Sequence, residues 1–371
     1  MRVLHISSPK TWRGGEQQLI YLVEELKALG VWQMVMCPFN SSVHKYCLKN
    51  HLNHVTYFKG FSANPMVAFR VSHICQKDKI DLLHVHDSHA HNFAVLSAVL
   101  TNNTLPIIVS RRVDFPITGG PLSSFKYNHP RIIKIICVSN AIKDIMLADV
   151  QDKSKLEVVH SGIDLSKFSI KKTNVLREEY GLDSEILLIG NVAALAPHKD
   201  YPTFVRTAKR VIESGINAKF FAIGEGPSRK LVELAIAENG MENHIILTGF
   251  RDDIPTILPE LDIFLITSST EGLGTSVIDA QAAGVPVVAT AAGGIIEIIQ
   301  NEKNGLVAPV ENDELLAEAV IKLAKDPALR LEYSDAGKEK SKEFSKSITA
   351  KKTLAIYESV LLDNRLSPEP E

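Results

Sequence analysis

The chain lacks the features of a disulfide scaffold or a zinc module. Its 371 residues include four cysteines, Cys37, Cys47, Cys75 and Cys137, and no C-x-x-C spacing. Cys37 and Cys137 lie in apolar, strand-like runs, so buried free thiols in a reducing compartment are expected. An excess of one charge is missing too. Lys plus Arg number 41 and Asp plus Glu 43, a formal net charge of -2, which leaves no electrostatic footprint for nucleic acid. No apolar run approaches the length of a membrane-spanning helix, so membrane contact is expected to be peripheral at most. A strand-like run starts at Val3 and a loop follows at once, which argues against a secretory leader and for a cytoplasmic location. Low-complexity segments and short-period repeats are absent. So is the dinucleotide fingerprint Gly-x-Gly-x-x-Gly after the first strand, and NAD is therefore not indicated.

What is present suits a soluble globular protein of two domains: 45% of residues are hydrophobic and 23% charged. Short apolar runs alternate with amphipathic stretches through both halves. Arg2–Ile6, Gln33–Pro38, Asp81–Val85, Pro106–Ser110, Ile132–Ser139 and Leu156–Val159 read as strands of a first half. Ile186–Val192, Lys219–Ile223, Ile245–Leu247, Asp262–Thr267 and Val285–Thr290 read as strands of a second half. Helices are expected at Glu16–Leu29, Leu176–Gly181, Asp200–Ser214, Leu231–Asn239, Thr275–Ala283, Asp313–Leu323 and Ile348–Leu361. This alternation argues for an α/β protein of two doubly wound parallel sheets. The polar connection Asp164–Asn174 marks the boundary, which gives domains at 1–168 and 169–345 and a C-terminal helical segment at 346–371. The tail Leu366–Glu371 reads as disordered.

The stretch Ser268–Gly294 organises the second half. It places a small, flexible loop, Gly272-Leu273-Gly274-Thr275-Ser276, where a helix begins. Helix N-terminal amides and the helix dipole there favour an anion such as phosphate. Two carboxylates frame the loop, Glu271 and, eight positions on, Asp279. Ionised carboxylates accept strongly from sugar hydroxyls. In the first half, Gly14-Gly15 forms a glycine-rich turn after the first strand, a place that usually faces a ligand in such sheets. The strand Asp81–Val85 runs into His86-Asp87-Ser88-His89-Ala90-His91. Three histidines and an aspartate invite a metal reading, but no further ligand cluster accompanies them, and no metal is expected.

These motifs resemble those of retaining GT-B glycosyltransferases, specifically glycosyltransferase family 4. The resemblance rests on Glu271 and Asp279 with seven residues between them, on Gly284-Val285-Pro286-Val287-Val288-Ala289, and on Gly293-Gly294. Asp81-x-x-His84-x-His86, Val138-Ser139-Asn140, Ser161-Gly162-Ile163-Asp164 and Gly224-Glu225-Gly226-Pro227 extend it over nearly the whole chain. It implies a GT-B fold, with two Rossmann-like domains facing a cleft and the last helix packing back on the first domain. It implies no cofactor beyond a nucleotide-diphospho-sugar donor substrate, and domain closure that excludes water.

The resemblance also implies roles. Lys199 would bind the donor diphosphate, Glu271 the sugar hydroxyls and Asp279 the ribose. His86 would contact the transferred sugar, while His84, facing the other side of its strand, would be buried structure. Gly14 and Gly15 would lie beneath the donor phosphate. Gly224 and the loop Gly249-Phe250-Arg251 would meet the nucleotide, the latter through its backbone. Besides Ser161, which stands where the family has asparagine, two departures stand out. Asp279 replaces the family's second glutamate and is shorter by a methylene. Ala194 stands where an arginine partner of Lys199 is expected, five positions before it. Either Arg251 or Arg111 fills that role, or diphosphate is held less tightly.

From Phe115 to Lys143 the chain has no acidic residue. Together with Arg111 and Arg112, the residues Lys126, Arg131 and Lys134 form either a solvated face or a cationic surface for an anionic acceptor or an anionic membrane. The expected function is retaining, metal-independent transfer of a sugar to a glycan or lipid-linked acceptor. The setting would be bacterial cell-surface polysaccharide or lipopolysaccharide synthesis, at the inner face of the cytoplasmic membrane. The alternatives are a non-hydrolysing sugar-nucleotide epimerase and a non-catalytic relative that binds a nucleotide-sugar or glycan.

Overall fold

The structure is a computed structural model and describes residues 1–61, 63–117, 120–168 and 173–366, with side chains through 363. Residues 367–371, which carry most of the tail read as disordered, lie outside the described residues. So do residues 169–172 of the polar connection.

The chain divides into two compact units, 1–162 with 346–371, and 163–345. The first break falls at Gly162/Ile163 rather than at 168. Ile163 already belongs to the second unit: its N–H donates to Phe344 O at 2.8 Å, and it bridges to Ser345. Gly162 is pinned to the first unit, with its carbonyl accepting from Gln18 Nε2 at 2.8 Å. A Cβ on Gly162 would lie 2.6 Å from the backbone of Lys346, so only glycine fits this close approach.

The first unit holds a seven-stranded sheet, all parallel. Its strands are β1 (Arg2–Ile6), β2 (Trp32–Pro38), β3 (His54–Tyr57), β4 (Leu82–Val85), β5 (Ile107–Arg111), β6 (Ile132–Cys137) and β7 (Leu156–Val158), in the order β3-β2-β1-β4-β5-β6-β7. The second unit holds a six-stranded parallel sheet. Its strands are β8 (Leu187–Val192), β9 (Ala218–Ile223), β10 (Ile245–Gly249), β11 (Ile263–Ile266), β12 (Val287–Thr290) and β13 (Leu306–Ala308), in the order β10-β9-β8-β11-β12-β13. Helices cover both faces of each sheet, so the strands are buried on both sides and read as continuous apolar runs. Every residue of β4, β11 and β12 is buried. Phe220, Phe221 and Phe264 are fully buried in the second core, and each stabilises it by about 1.5–3 kcal/mol.

In both sheets the strand order reverses once, between β1 and β4 in the first and between β8 and β11 in the second. Chains leaving neighbouring strands at such a point diverge to opposite faces and leave a crevice at the carboxyl ends, where ligands bind in this architecture. This feature places the candidate residues of each unit.

The helix Lys346–Leu366 completes the first unit. Ala350, Tyr357 and Val360 are buried in one apolar cluster with Val3, Leu22, Leu82 and Ile136. All four cysteines are buried free thiols. No helix among the described residues is long and apolar enough to cross a membrane.

Candidate active site

At the reversal point of the second sheet, three loops are tied edge to edge. The loop after β8 turns through the 3-10 helix Pro197–Lys199, and Asp200 follows in a left-handed conformation at φ +46°. Asp200 then caps the helix Tyr201–Glu213 by accepting from Thr203 N at 3.2 Å. The loop after β11 is fastened to it. Thr267 Oγ1 donates within 3.1 Å of the carbonyls of Lys199 and Asp200, and Ser269 N donates to His198 O at 2.9 Å. The loop after β12 closes the set. Thr290 Oγ1 donates to Ser268 O at 2.6 Å, and Gly294 N to Glu271 O at 3.1 Å. Gly293, at φ +49°, lies so close that a Cβ would meet Glu271 O at 2.0 Å. Any larger residue there would push the Glu271 loop away.

These ties bring Lys199 and Glu271 into an ion pair. Their side chains are 14% and 10% exposed, and Glu271 also accepts from Ser268 Oγ at 2.8 Å. Gly272, Leu273 and Gly274 follow; Leu273 is buried, and Gly274 at φ +88° starts the helix Thr275–Ala282, whose N-terminus has no side-chain cap. Thr275 and Ser276 are half-buried in its first turn. Asp279, one turn on, is also half-buried and has no hydrogen-bond partner among the described residues. Desolvation raises its carboxyl to about 7, and Lys167, on the 3-10 turn Leu165–Phe168, opposes the rise.

Gly224 follows β9 and Gly249 ends β10, and the two bridge, with Gly224 N donating to Gly249 O at 3.0 Å. Gly224 packs on the β8 loop, where a Cβ would lie 2.0 Å from Ala193 O. Phe250 is 79% exposed on the same edge, an open aromatic face. Arg251 was one candidate for the cation missing at Ala194. It is held instead by Glu179 and Asp253, each at 2.7 Å. The other candidate, Arg111, belongs to the first unit.

At the reversal point of the first sheet, β1 and β4 pair with His5 beside His84. His5 Nδ1 lies 3.0 Å from His86 Nε2, and His5 Nε2 lies 3.0 Å from Gln33 Oε1. Arg112 approaches His86 Nδ1 at 3.2 Å and donates to its carbonyl at 3.1 Å. The roles follow from the ends of this chain. A guanidinium only donates, so His86 Nδ1 accepts, and His86 Nε2–H donates to His5 Nδ1. His5 Nε2–H then donates to the Gln33 carbonyl oxygen. Both ring nitrogens of His86 are therefore engaged within the unit. His84 is buried and bonds Ser110 Oγ at 2.8 Å and the Tyr357 hydroxyl.

Burial drives all three imidazoles toward neutrality, His5 to about 4 and the other two well below the usual histidine value; the charge of Arg112 adds to the shift in each. The three rings offer nitrogens within 4.8 Å of one another, close enough for a metal ion. The guanidinium at 3.2 Å from one of them opposes a second cation there.

Gly14 and Gly15 are not a turn. They form the first residues of the helix Gly14–Ala28, because Glu16 reaches back to accept from Arg13 N at 2.9 Å and starts the helix early. Nothing lies within 4 Å of a Cβ at either glycine, so the helix start is open. The basic stretch does not act as one surface. Arg111, Arg112 and Lys126 line a pocket at the carboxyl ends of the strands. Lys134, within β6, pairs with Glu157 at 2.8 Å, and Arg131 precedes β6 at its amino end, so neither lines this pocket. His5, Gln33, Ser268 and Tyr357 were not singled out in the sequence. Only the parallel pairing of β1 with β4 reveals His5.

The comparisons with known proteins agree with this architecture. The family model for Glycosyltransferase Family 4 matches residues 12–167, and the model for Glycosyl transferases group 1 matches residues 172–340. UDP-Gal:alpha-D-GlcNAc-diphosphoundecaprenol alpha-1,3-galactosyltransferase of Escherichia coli is 25% identical over 272 residues, 70% of each chain. N-acetyl-alpha-D-glucosaminyl L-malate synthase of Bacillus anthracis is 22% identical over 302 residues, 80% of this chain and 78% of the relative. Among solved structures, a glycosyltransferase from Rickettsia africae ESF-5 superposes with a TM-score of 0.85 at 21% identity, covering 97% of this chain and 98% of that one. Anabaena Alr3699/HepE in complex with UDP and glucose superposes with a TM-score of 0.85 at 18% identity, covering 97% of this chain and all of that one (100%).

Proposed function

Because the chain belongs to the GT-B glycosyltransferases of family 4 type, we propose that it transfers a sugar from a nucleotide-diphospho-sugar to a glycan or lipid-linked acceptor, with retention of configuration and without a metal. The observation that carries this reading is the position of the Lys199–Glu271 pair at the strand reversal of the second sheet, beside an uncapped helix N-terminus. In the reaction, the β-phosphate leaves with the nucleotide and negative charge grows on its bridging oxygen. Lys199 and the amides opening the helix Thr275–Ala282 stabilise that charge. Glu271, oriented by Lys199 and Ser268, accepts from hydroxyls of the donor sugar. Asp279 accepts from the ribose, and exposed Phe250 stacks on the base.

Retention follows if the acceptor hydroxyl attacks on the face the diphosphate leaves, with a phosphate oxygen taking its proton. Neither Glu271 nor Asp279 is then needed as a nucleophile. In the first unit, the pocket beside His86 takes the acceptor. A sugar hydroxyl that bonds the His86 imidazole has to displace Arg112 or His5. The names of two similar proteins support the substrate classes: the Escherichia coli relative uses UDP-Gal and a diphosphoundecaprenol acceptor, and the Anabaena protein was solved with UDP-glucose. Such an acceptor suits cell-surface polysaccharide or lipopolysaccharide synthesis at the cytoplasmic membrane.

The test is a thermal-shift series of the full chain with UDP-, GDP- and other nucleotide-sugars, with and without EDTA, followed by determination of the product anomer. A ligand that binds the native state alone raises the midpoint. An EDTA-insensitive shift for one base class, with the donor anomer retained in the product, is expected. Loss of binding in EDTA or an inverted product would overturn the mechanism. The absence of any nucleotide shift would overturn the donor assignment.

A further inference from the structure

The pocket of the first unit is more cationic than neutral sugar hydroxyls require. Its volume is about 930 Å³. Among the described residues it is lined by the cations Lys10, Arg13, Lys59, Arg111, Arg112 and Lys126, against two carboxylates, Glu16 and Asp87. Both carboxylates already have structural duties. Asp87 accepts from Ser8 N at 2.7 Å and caps the helix Ser88–Thr101 through His89 N and Ala90 N, each at 3.0 Å. Glu16 caps its own helix through Arg13 N.

Arg111 stands out within this set. It is 6% exposed, yet among the described residues it makes no contact with a carboxylate and faces only the Phe115 and Tyr127 rings, at 5.1 and 5.9 Å. One terminal nitrogen donates to the Tyr127 hydroxyl at 3.1 Å and the other to Phe115 O, and its Nε has no partner. A buried guanidinium without a counterion is unfavourable unless something anionic completes it. Lys126 is in a similar position. Among the described residues its Nζ bonds the hydroxyl and carbonyl of Ser88, at 3.0 and 3.4 Å, and lies 5.3 Å from the Tyr127 ring, and burial together with Arg111 lowers its ammonium to about 8.

His91 adds an acceptor. Its Nε2 bonds the Lys126 carbonyl at 3.2 Å, so in the neutral ring that nitrogen carries the proton. Its Nδ1 then holds a lone pair, and it is buried without a partner. The pocket thus offers an unpaired guanidinium and ammonium beside one acceptor for a hydroxyl. Val113, Phe115 and Ile117 add apolar lining.

We propose that this pocket is a subsite for the phosphate group of a phosphorylated acceptor, bound by Arg111 and Lys126, with His91 Nδ1 accepting from a neighbouring hydroxyl. The word acceptor rests on the glycosyltransferase reading; the phosphate chemistry does not. The phosphate can be borne by a lipid-linked carrier, whose chain would follow Phe115 and the neighbouring Leu122 and Phe125, 83% and 53% exposed. It can equally belong to a soluble sugar phosphate.

The experiment is calorimetric titration of the full chain with UDP present in excess, so that the donor's own phosphate site is filled. The titrants are farnesyl phosphate against farnesol, and glucose 6-phosphate against glucose. The phosphorylated member of at least one pair should bind about tenfold or more tightly than its partner, as expected for charge-assisted contacts. Arg111→Gln and Lys126→Gln should each remove that advantage and leave UDP affinity unchanged. Arg111→Lys, a smaller perturbation of the fold, should keep part of it. The pair with the larger phosphate effect identifies the lipid-borne or the soluble source. Equal binding of both members in both pairs, or a phosphate advantage that survives both substitutions, would overturn the proposal. If UDP fails to bind while Arg111 still governs phosphate affinity, the donor reading falls and the subsite stands.

Discussion

Lys199 Nζ and the Glu271 carboxylate form an ion pair across 72 residues of sequence, closed by hydrogen bonds between the β8 and β11 loops. The two side chains were expected to serve different parts of the donor. Their contact means that each orients the other before any ligand arrives. Removing one leaves a largely buried charge unpaired.

Lys199→Met and Glu271→Gln should therefore each destabilise the protein by about 3 kcal/mol, and the double variant should lose less than the sum. Urea unfolding of the four proteins measures the coupling. Each single variant should also lose transfer activity by about 100-fold or more. Strict additivity of the stability losses would show that the pair does not act as a unit.

The histidine network predicts an acid limit. His5 titrates near 4 in the folded protein and near 6.5 when unfolded. The unfolded chain therefore binds the proton first as pH falls. Stability is complete above about 6.5 and declines toward pH 4, by about 3 kcal/mol for His5 alone. His84 and His86 add to the slope in the same direction. Denaturant midpoints at pH 7.5, 6 and 5 measure it. Nitrogen chemical shifts should show His86 neutral with its proton on Nε2; a proton on Nδ1 would contradict the direction read from Arg112.

Asp279 predicts a second pH effect, read on binding; on folding its raised carboxyl acts against the histidine slope, losing stability as pH rises toward 7. Its carboxyl titrates near 7, and only the ionised form is a strong acceptor for ribose hydroxyls. Affinity for a nucleotide-sugar should thus rise with pH through about 7 and then level off. Asp279→Asn should flatten that profile and lower the plateau. A profile unchanged by the substitution would remove Asp279 from the donor site.

Much of this was legible in the sequence because buried parallel strands announce themselves as mainly apolar runs, and β1, β8, β11 and β12 are of that kind. The loops after them were legible because helix starts and tight turns use few residue types. What escaped were relations between distant strands. The register of β1 against β4 sets His5 next to His84, and nothing local to His5 signals it. The edge strands β3 and β13 escaped as well: His54–Tyr57 is a mixed four-residue run and Leu306–Ala308 has only three residues. The start of the first helix was misplaced because Gly14-Gly15 resembles a turn until the Glu16 cap is seen. The basic run divides because Lys126, on the helix Gly120–Asn128, reaches Ser88, whereas Lys134, within β6, reaches Glu157.

The hydroxyl of Tyr357 completes the surroundings of His84, and Ala350, Tyr357 and Val360 complete the core beneath β1 and β4. The first unit is thus a discontinuous one, with the second unit encoded as an insertion within it. During synthesis, residues 1–162 emerge long before their final helix exists. The intervening segment can mature on its own schedule, while the first sheet waits with a bare apolar face. Chains cut off near residue 345 should consequently be captured by chaperones or degraded, even though every strand of both sheets has been made.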